Sequence, residues 1–115
     1  MNLALIVCTT ANNSYSALEF AKAAIKMQQT IVTIFFYQQG VTIANTFIDL
    51  PADEINLQQH WQTLNKEHAT PLTVCSASAL RRGIAMEQLA KHFVMGSLGQ
   101  LTEILATADK VITFK

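Results

Sequence analysis

Charge is scarce in this chain, and what little there is cancels. Only 14% of the 115 residues are Asp, Glu, Lys or Arg, and eight cations face eight anions. Without a basic excess no field gathers phosphates, which argues against direct nucleic-acid binding. Half of the residues are hydrophobic, far more than a disordered chain carries. A surface so lightly charged leaves room for contacts with other subunits.

Long apolar runs are missing as well. The first run, "LALIVC" at 3–8, is too short to span a bilayer, and the amino terminus lacks the basic start and small-residue cleavage site of a signal peptide. A cytoplasmic protein with no membrane attachment is expected. Cysteine occurs twice, as Cys8 and Cys75, too few for a disulfide framework and without neighbouring ligands at zinc-site spacing. His60 and His68 are eight residues apart and His92 is isolated. That is not the i, i+4 geometry that brings two imidazoles to one metal, so no metal is expected. Gly83, Gly96 and Gly99 form no phosphate-binding loop after a first strand, so no nucleotide cofactor is expected either.

What is present is an alternation of strands and helices. "LALIVC" (3–8) and "TIVTIFFY" (30–37) are continuous apolar or β-branched runs, the pattern of strands covered on both faces. "PLTVC" (71–75), "FVM" (93–95) and "KVITF" (110–114) are expected to be three more. Between them, Leu18, Ala21 and Ile25 mark a helix over about 15–28, with Ser16 and Glu19 suited to a capping box. Leu57, Trp61 and Leu64 mark another from about Ile55 to His68, after a turn punctuated by Pro51 and Asp53. "SASALRRG" supports a turn or two of helix before Gly83, and Met86, Leu89 and Ala90 suggest a further short helix. Ser97 and Gln100 offer a capping box to a helix whose expected buried stripe is Leu98, Leu101, Ile104 and Leu105. Such alternation implies right-handed βαβ units: an α/β fold with a mainly parallel sheet of about five strands and helices on both faces. At this length, and with no repeat or linker, residues 1–115 form a single domain.

Parallel sheets of this kind keep their working residues at the carboxyl ends of the strands. Cys8, Tyr37 and Cys75 each sit at such an end. Cys75 closes a strand just before a helical turn, where a thiolate would face unpaired backbone N–H groups and the positive end of a helix. Ser76 and Ser78 could supply hydroxyl hydrogen bonds or cap the helix, and Arg81 or Arg82 could add positive potential if the turn folds back. This set suits sulfur exchange, because a thiolate attacks a persulfide or disulfide without a separate base. The residues alone leave a buried, inert Cys75 the commoner outcome for a free cysteine. Cys8 has the same placement without flanking cations, and a resolving role for it depends on its strand lying beside that of Cys75.

Four stretches together resemble the TusD/DsrE family of small sulfur-relay proteins. They are "FFYQQGVTIAN" (35–45), "WQTLN" (61–65), "LTVCSASALRRG" (72–83) and "GSLGQLTEILATADKVITF" (96–114). The resemblance implies a three-layer α/β/α domain. It also implies that Cys75, just before Leu80, Arg81, Arg82 and Gly83, carries sulfur as a persulfide, with Ser76, Ser78, Arg81 and Arg82 in support. By the same resemblance, the chain is a sulfurtransferase subunit needing no cofactor. Its implied partners are two paralogous subunits in a heterohexamer, or copies of itself when isolated, with small carrier proteins as donor and acceptor. The implied destination is tRNA 2-thiouridine synthesis, with intracellular sulfur oxidation as the alternative. Two rivals remain: a non-catalytic assembly subunit, and a flavodoxin-like ligand-binding module that lacks its phosphate loop.

Overall fold

Five parallel strands lie in the order β4-β3-β2-β1-β5. The computed structural model describes residues 1–10, 14–48 and 56–115. β1 (Asn2–Val7) pairs with β2 (Thr30–Phe36) on one side and β5 (Lys110–Phe114) on the other. β3 (Leu72–Cys75) lies between β2 and the edge strand β4 (Phe93–Gly96). The continuous apolar runs of β1 and β2 follow from this position, since both strands are interior and covered on both faces.

The chain winds outward from β1 to β4 and then crosses the whole sheet to β5. Right-handed crossovers in opposite directions put their helices on opposite faces. α1 (Tyr15–Lys26) and α2 (Leu57–His68) pack together on one face, where Trp61 of α2 stands edge-on to Phe36, with ring centroids 5.3 Å apart. Beyond the short α3 (Ser76–Arg81), α4 (Leu98–Thr107) covers β1 and β2 from the other face. The result is the expected three-layer α/β arrangement with five strands, all of them parallel.

The helix ends show where local sequence decides. Ser97 caps α4, accepting from the Gln100 amide while Gln100 returns a bond to the Ser97 amide, at 3.1 and 2.9 Å. That is the expected capping box. At α1 the expected cap differs, because the helix begins at Tyr15 with Ser14 as its N-cap, so Ser16 lies inside the first turn. Ser14 is buried and its hydroxyl accepts from the indole N–H of Trp61 at 3.3 Å, a tertiary partner that sets the start of the helix. α2 starts two residues later than expected, where Asn56 accepts from the Gln59 amide. Pro51, Asp53 and Ile55 lie outside the described residues.

Candidate functional site

Val7, Phe36 and Val74 are register partners across β1, β2 and β3, and Cys75 pairs with Gly96 of β4. The next residues along the strands are therefore Cys8, Tyr37 and Cys75, ranked across the carboxyl edge of the sheet. Tyr37 stands between the two cysteines. Two inter-strand spacings separate the Cα atoms of Cys8 and Cys75 by about 10 Å, beyond the reach of a disulfide without backbone movement. The strand of Cys8 is thus not a neighbour of the strand of Cys75, and the condition for a resolving role is not met.

Cys75 is both the last residue of β3 and the N-cap of α3, with extended backbone at φ −63° and ψ 116°. It is 1% exposed. Ser76 and Ser78 follow it inside the helix, so neither is the cap. Ser78 is buried, and its hydroxyl accepts a hydrogen bond from the Gln38 amide at 3.1 Å. Arg82 folds back along α3 and donates from Nη1 to the Ser78 carbonyl at 3.1 Å, while Arg81 stays in solvent. The guanidinium of Arg82 thereby serves the carbonyl end of α3, where positive charge is favoured by the helix dipole.

That return path depends on Gly83. The Ile84 amide reaches the Ala79 carbonyl at 2.9 Å and the Gly83 amide reaches Leu80 at 3.1 Å, with Gly83 at φ +75°. These two bonds form a Schellman motif, and buried Ala79 and Ile84 supply its hydrophobic contact. The "LRRG" stretch is therefore a helix terminator that aims two cations in different directions.

A second element packs against both β3 and α3, which meet at Cys75. After β2 the chain turns at Gln38, a non-glycine residue at φ +53°, into a 3-10 helix over Gln38–Ala44 that packs on α3 and β3. Gly40 rests against the end of β1, where an added Cβ would overlap the Val7 carbonyl oxygen. In the sequence Gly40 follows the apolar run at 30–37 as a strand breaker would, and nothing singles out Gln38. The signal was there in part, since a glycine beside an apolar "VTIA" run marks a close backbone approach as readily as a break.

Cys8 lies just beyond β1, half-buried, with its amide donating to the Phe114 carbonyl at 2.8 Å. Burial pushes its thiol above the ordinary cysteine value, opposed by the nearby Lys115 charge. At neutral pH Cys8 is expected to react with a small alkylating reagent more slowly than a free cysteine, and to catch up as the pH rises. A rate against pH for Cys8 peptides checks this, and a Cys8 rate equal to that of free cysteine at pH 7 would contradict it.

His60, His68 and His92 are exposed, and no cluster of three or more metal-ligating side chains occurs among the described residues. A surface cavity of about 460 Å³ between α1 and α2 is lined by His60, His68 and flanking Lys and Glu residues, but by none of the site residues. Among the described residues no helix is long and apolar enough to cross a membrane.

The profile of the DsrE/DsrF-like family matches residues 1–114. The chain belongs to this family. A relative described as "Sulfurtransferase TusD homolog", from Vibrio parahaemolyticus, is 42% identical over 90% of this chain and 88% of its own length. "Sulfurtransferase TusD" of an Enterobacter species is 35% identical over 99% of this chain and its whole length. Among solved structures, the ychN protein from E. coli superposes with a TM-score of 0.84 at 25% identity, covering 99% of this chain and all of that one. A protein of unknown function from Methanobacterium thermoautotrophicum, MTH1491, shares the fold with a TM-score of 0.75 at 11% identity, covering 98% of this chain and 97% of its own. This fold places Cys75 at the strand-to-helix junction where β3 meets α3.

Proposed function

We propose that Cys75 carries sulfane sulfur as a persulfide and relays it between protein cysteines. Sulfurtransferase activity follows from family membership and from TusD relatives that match this chain nearly end to end. The observation that carries the Cys75 assignment is its position, at the carboxyl edge of a parallel sheet and at the N-cap of α3. Working groups collect at that edge in open α/β sheets.

In the receiving step the Cys75 thiolate attacks the terminal sulfur of a donor persulfide. A new S–S bond forms at Cys75 Sγ, the donor's S–S bond breaks, and the donor cysteine leaves as a thiolate with the electron pair. In the releasing step an acceptor thiolate attacks the terminal sulfur and Cys75 departs as the thiolate. No external oxidant or reductant enters either step. In this reading α3 positions Cys75, Ser78 and Arg82 hold that helix through their hydrogen bonds, and exposed Leu80 and Arg81 on the same helix are open to a carrier protein.

The proposed setting is the cytoplasm, in a complex with two paralogous subunits, delivering sulfur toward tRNA 2-thiouridine through small carrier proteins. Exposed Phe47, Leu80 and Met86, the first two joined to the site through the 38–48 segment and α3, agree with a protomer that works in an assembly.

Incubation with a persulfide-generating desulfurase is expected to add one sulfur atom to wild type and to Cys8→Ser, but none to Cys75→Ser, by intact mass. An adduct that survives Cys75→Ser would sink the proposal.

A further inference from the structure

Cys75 must meet donor and acceptor sulfurs, yet it is 1% exposed. Among the described residues, the Gln38–Ala44 turn packs against both elements that meet at Cys75, and Tyr37, at its base, is the neighbour of Cys75 across the sheet edge. We propose that this turn is a strap whose near end opens over Cys75, with the Ser78 hydroxyl and the Gln38 amide as its latch. The inference rests on Cys75 being the sulfur-carrying residue.

The strap is held unevenly. At its far end four hydrogen bonds among the described residues tie the strap and the two residues that follow it, Asn45 and Thr46, to the rest of the protein. Gln58 Nε2 donates to the carbonyls of Ile43 and Asn45, the Ala90 amide donates to Ala44, and the Thr46 amide donates to Gln88, each at 2.8 Å. Val41, Ile43 and Ala44 are also buried. At the near end, beyond Tyr37, one bond among the described residues leaves the strap, from the Gln38 amide to Ser78 Oγ at 3.1 Å. The other bonds there are internal, from Gly40 to the Tyr37 carbonyl and from Thr42 Oγ1 to the Gln39 carbonyl. Gln38 and Gln39 are exposed, so lifting them uncovers little apolar surface.

Gln38 is also held in the left-handed region, at φ +53°, which disfavours every residue but glycine and, less strongly, Asn and Asp. The closed strap thus carries local strain that opening releases, and strain of this kind persists only where surrounding contacts hold it. Ser78 supplies the contact. It lies one helical turn beyond Cys75, so breaking the latch frees the strap directly over the first turn of α3. Ser78 and Gln38 are positioning residues: they touch no substrate and act by controlling access to Cys75.

The two halves of the latch predict opposite changes. In a Cys8→Ser background, native-state alkylation of Cys75 by iodoacetamide is followed by peptide mass spectrometry across dilute urea, beside global unfolding. Ser78→Ala is expected to speed alkylation about 3- to 10-fold, by loss of one hydrogen bond. Gln38→Gly is expected to slow it about 2- to 5-fold by relieving the strained φ of the closed form. In both, the rate should stay nearly flat in dilute urea, as local opening does, while global unfolding depends on it steeply. Rates that follow global stability, or a Gln38→Gly protein that reacts no more slowly than its parent, would overturn the gate. Sulfur loading is measured in parallel by intact mass. Normal loading with unchanged alkylation in the variants sinks the gate and spares Cys75 as the carrier. Altered alkylation with no loading at Cys75 supports the gate and sinks the carrier.

Discussion

Trp61→Ala is expected to remove about 4 kcal/mol of stability and lower Tm by roughly 15 °C, the largest single loss available in this core. The indole is fully buried, edge-on to Phe36, and Phe36 in turn is edge-on to Phe93 with centroids 5.6 Å apart. This aromatic column joins α2 to β2 and β4, so truncation leaves a cavity bounded by three elements that cannot all close on it. The indole N–H also satisfies Ser14 at the start of α1. A native domain keeps about 5–15 kcal/mol in total, so the variant would sit near the edge of folding at 37 °C. Trp61→Phe keeps most of the volume and loses the N–H, and is expected to cost about 1–2 kcal/mol. Urea unfolding of the two variants checks the order, and equal losses would show that the column is not what holds α2 on the sheet.

Gly40→Ala is expected to cost about 3 kcal/mol, near the top of the range for overpacking, because the added methyl meets backbone and not a movable side chain. Only a shift of the strap or of the end of β1 relieves the overlap with the Val7 carbonyl. The Tyr37 amide donates to that same carbonyl at 2.9 Å, so the shift reaches the row that holds Cys8, Tyr37 and Cys75. Alkylation of Cys75 in the native protein is therefore expected to rise along with the loss of stability. A Gly40→Ala protein as stable as wild type would contradict the close approach at this position.

The strands were legible in the sequence because parallel strands buried on both faces read as apolar or β-branched runs, and the runs at 3–8 and 30–37 match β1 and β2 to within a residue at each end. The stripe of α2 was legible, since Leu57, Trp61 and Leu64 are all buried, whereas of the stripe expected on α4 only Leu101 is buried and Leu98 is exposed, because that helix meets the sheet over a narrow contact. The start of α1 was not, since Ser14 and Ser16 are chemically equivalent caps and the choice is made by Trp61, 47 residues away. The position of Cys75 at a strand end followed from local pattern. Its distance from Cys8 did not, because strand order is a long-range property and β2 intervenes only once the sheet is assembled. Burial of Cys75 was the commoner expectation for a free cysteine, but what packs around its strand end was not legible, since the Gln38–Ala44 turn that packs on β3 and α3 comes from far earlier in the chain. The arginines illustrate a third limit: "RR" fixes a pair of charges, but the Gly83 turn decides that Arg82 returns to the Ser78 carbonyl while Arg81 does not.

The central claim, that Cys75 holds the sulfur that is passed on, is tested most directly by a single-turnover transfer. Protein loaded with isotopically labelled sulfane sulfur is mixed with an acceptor thiol, and the label is located by peptide mass spectrometry over time. The account predicts that label starts on the peptide containing Cys75 and leaves it at the rate at which labelled acceptor persulfide appears, with Cys8→Ser behaving as wild type. Label found first on Cys8, or acceptor persulfide formed at an undiminished rate by Cys75→Ser, would contradict it.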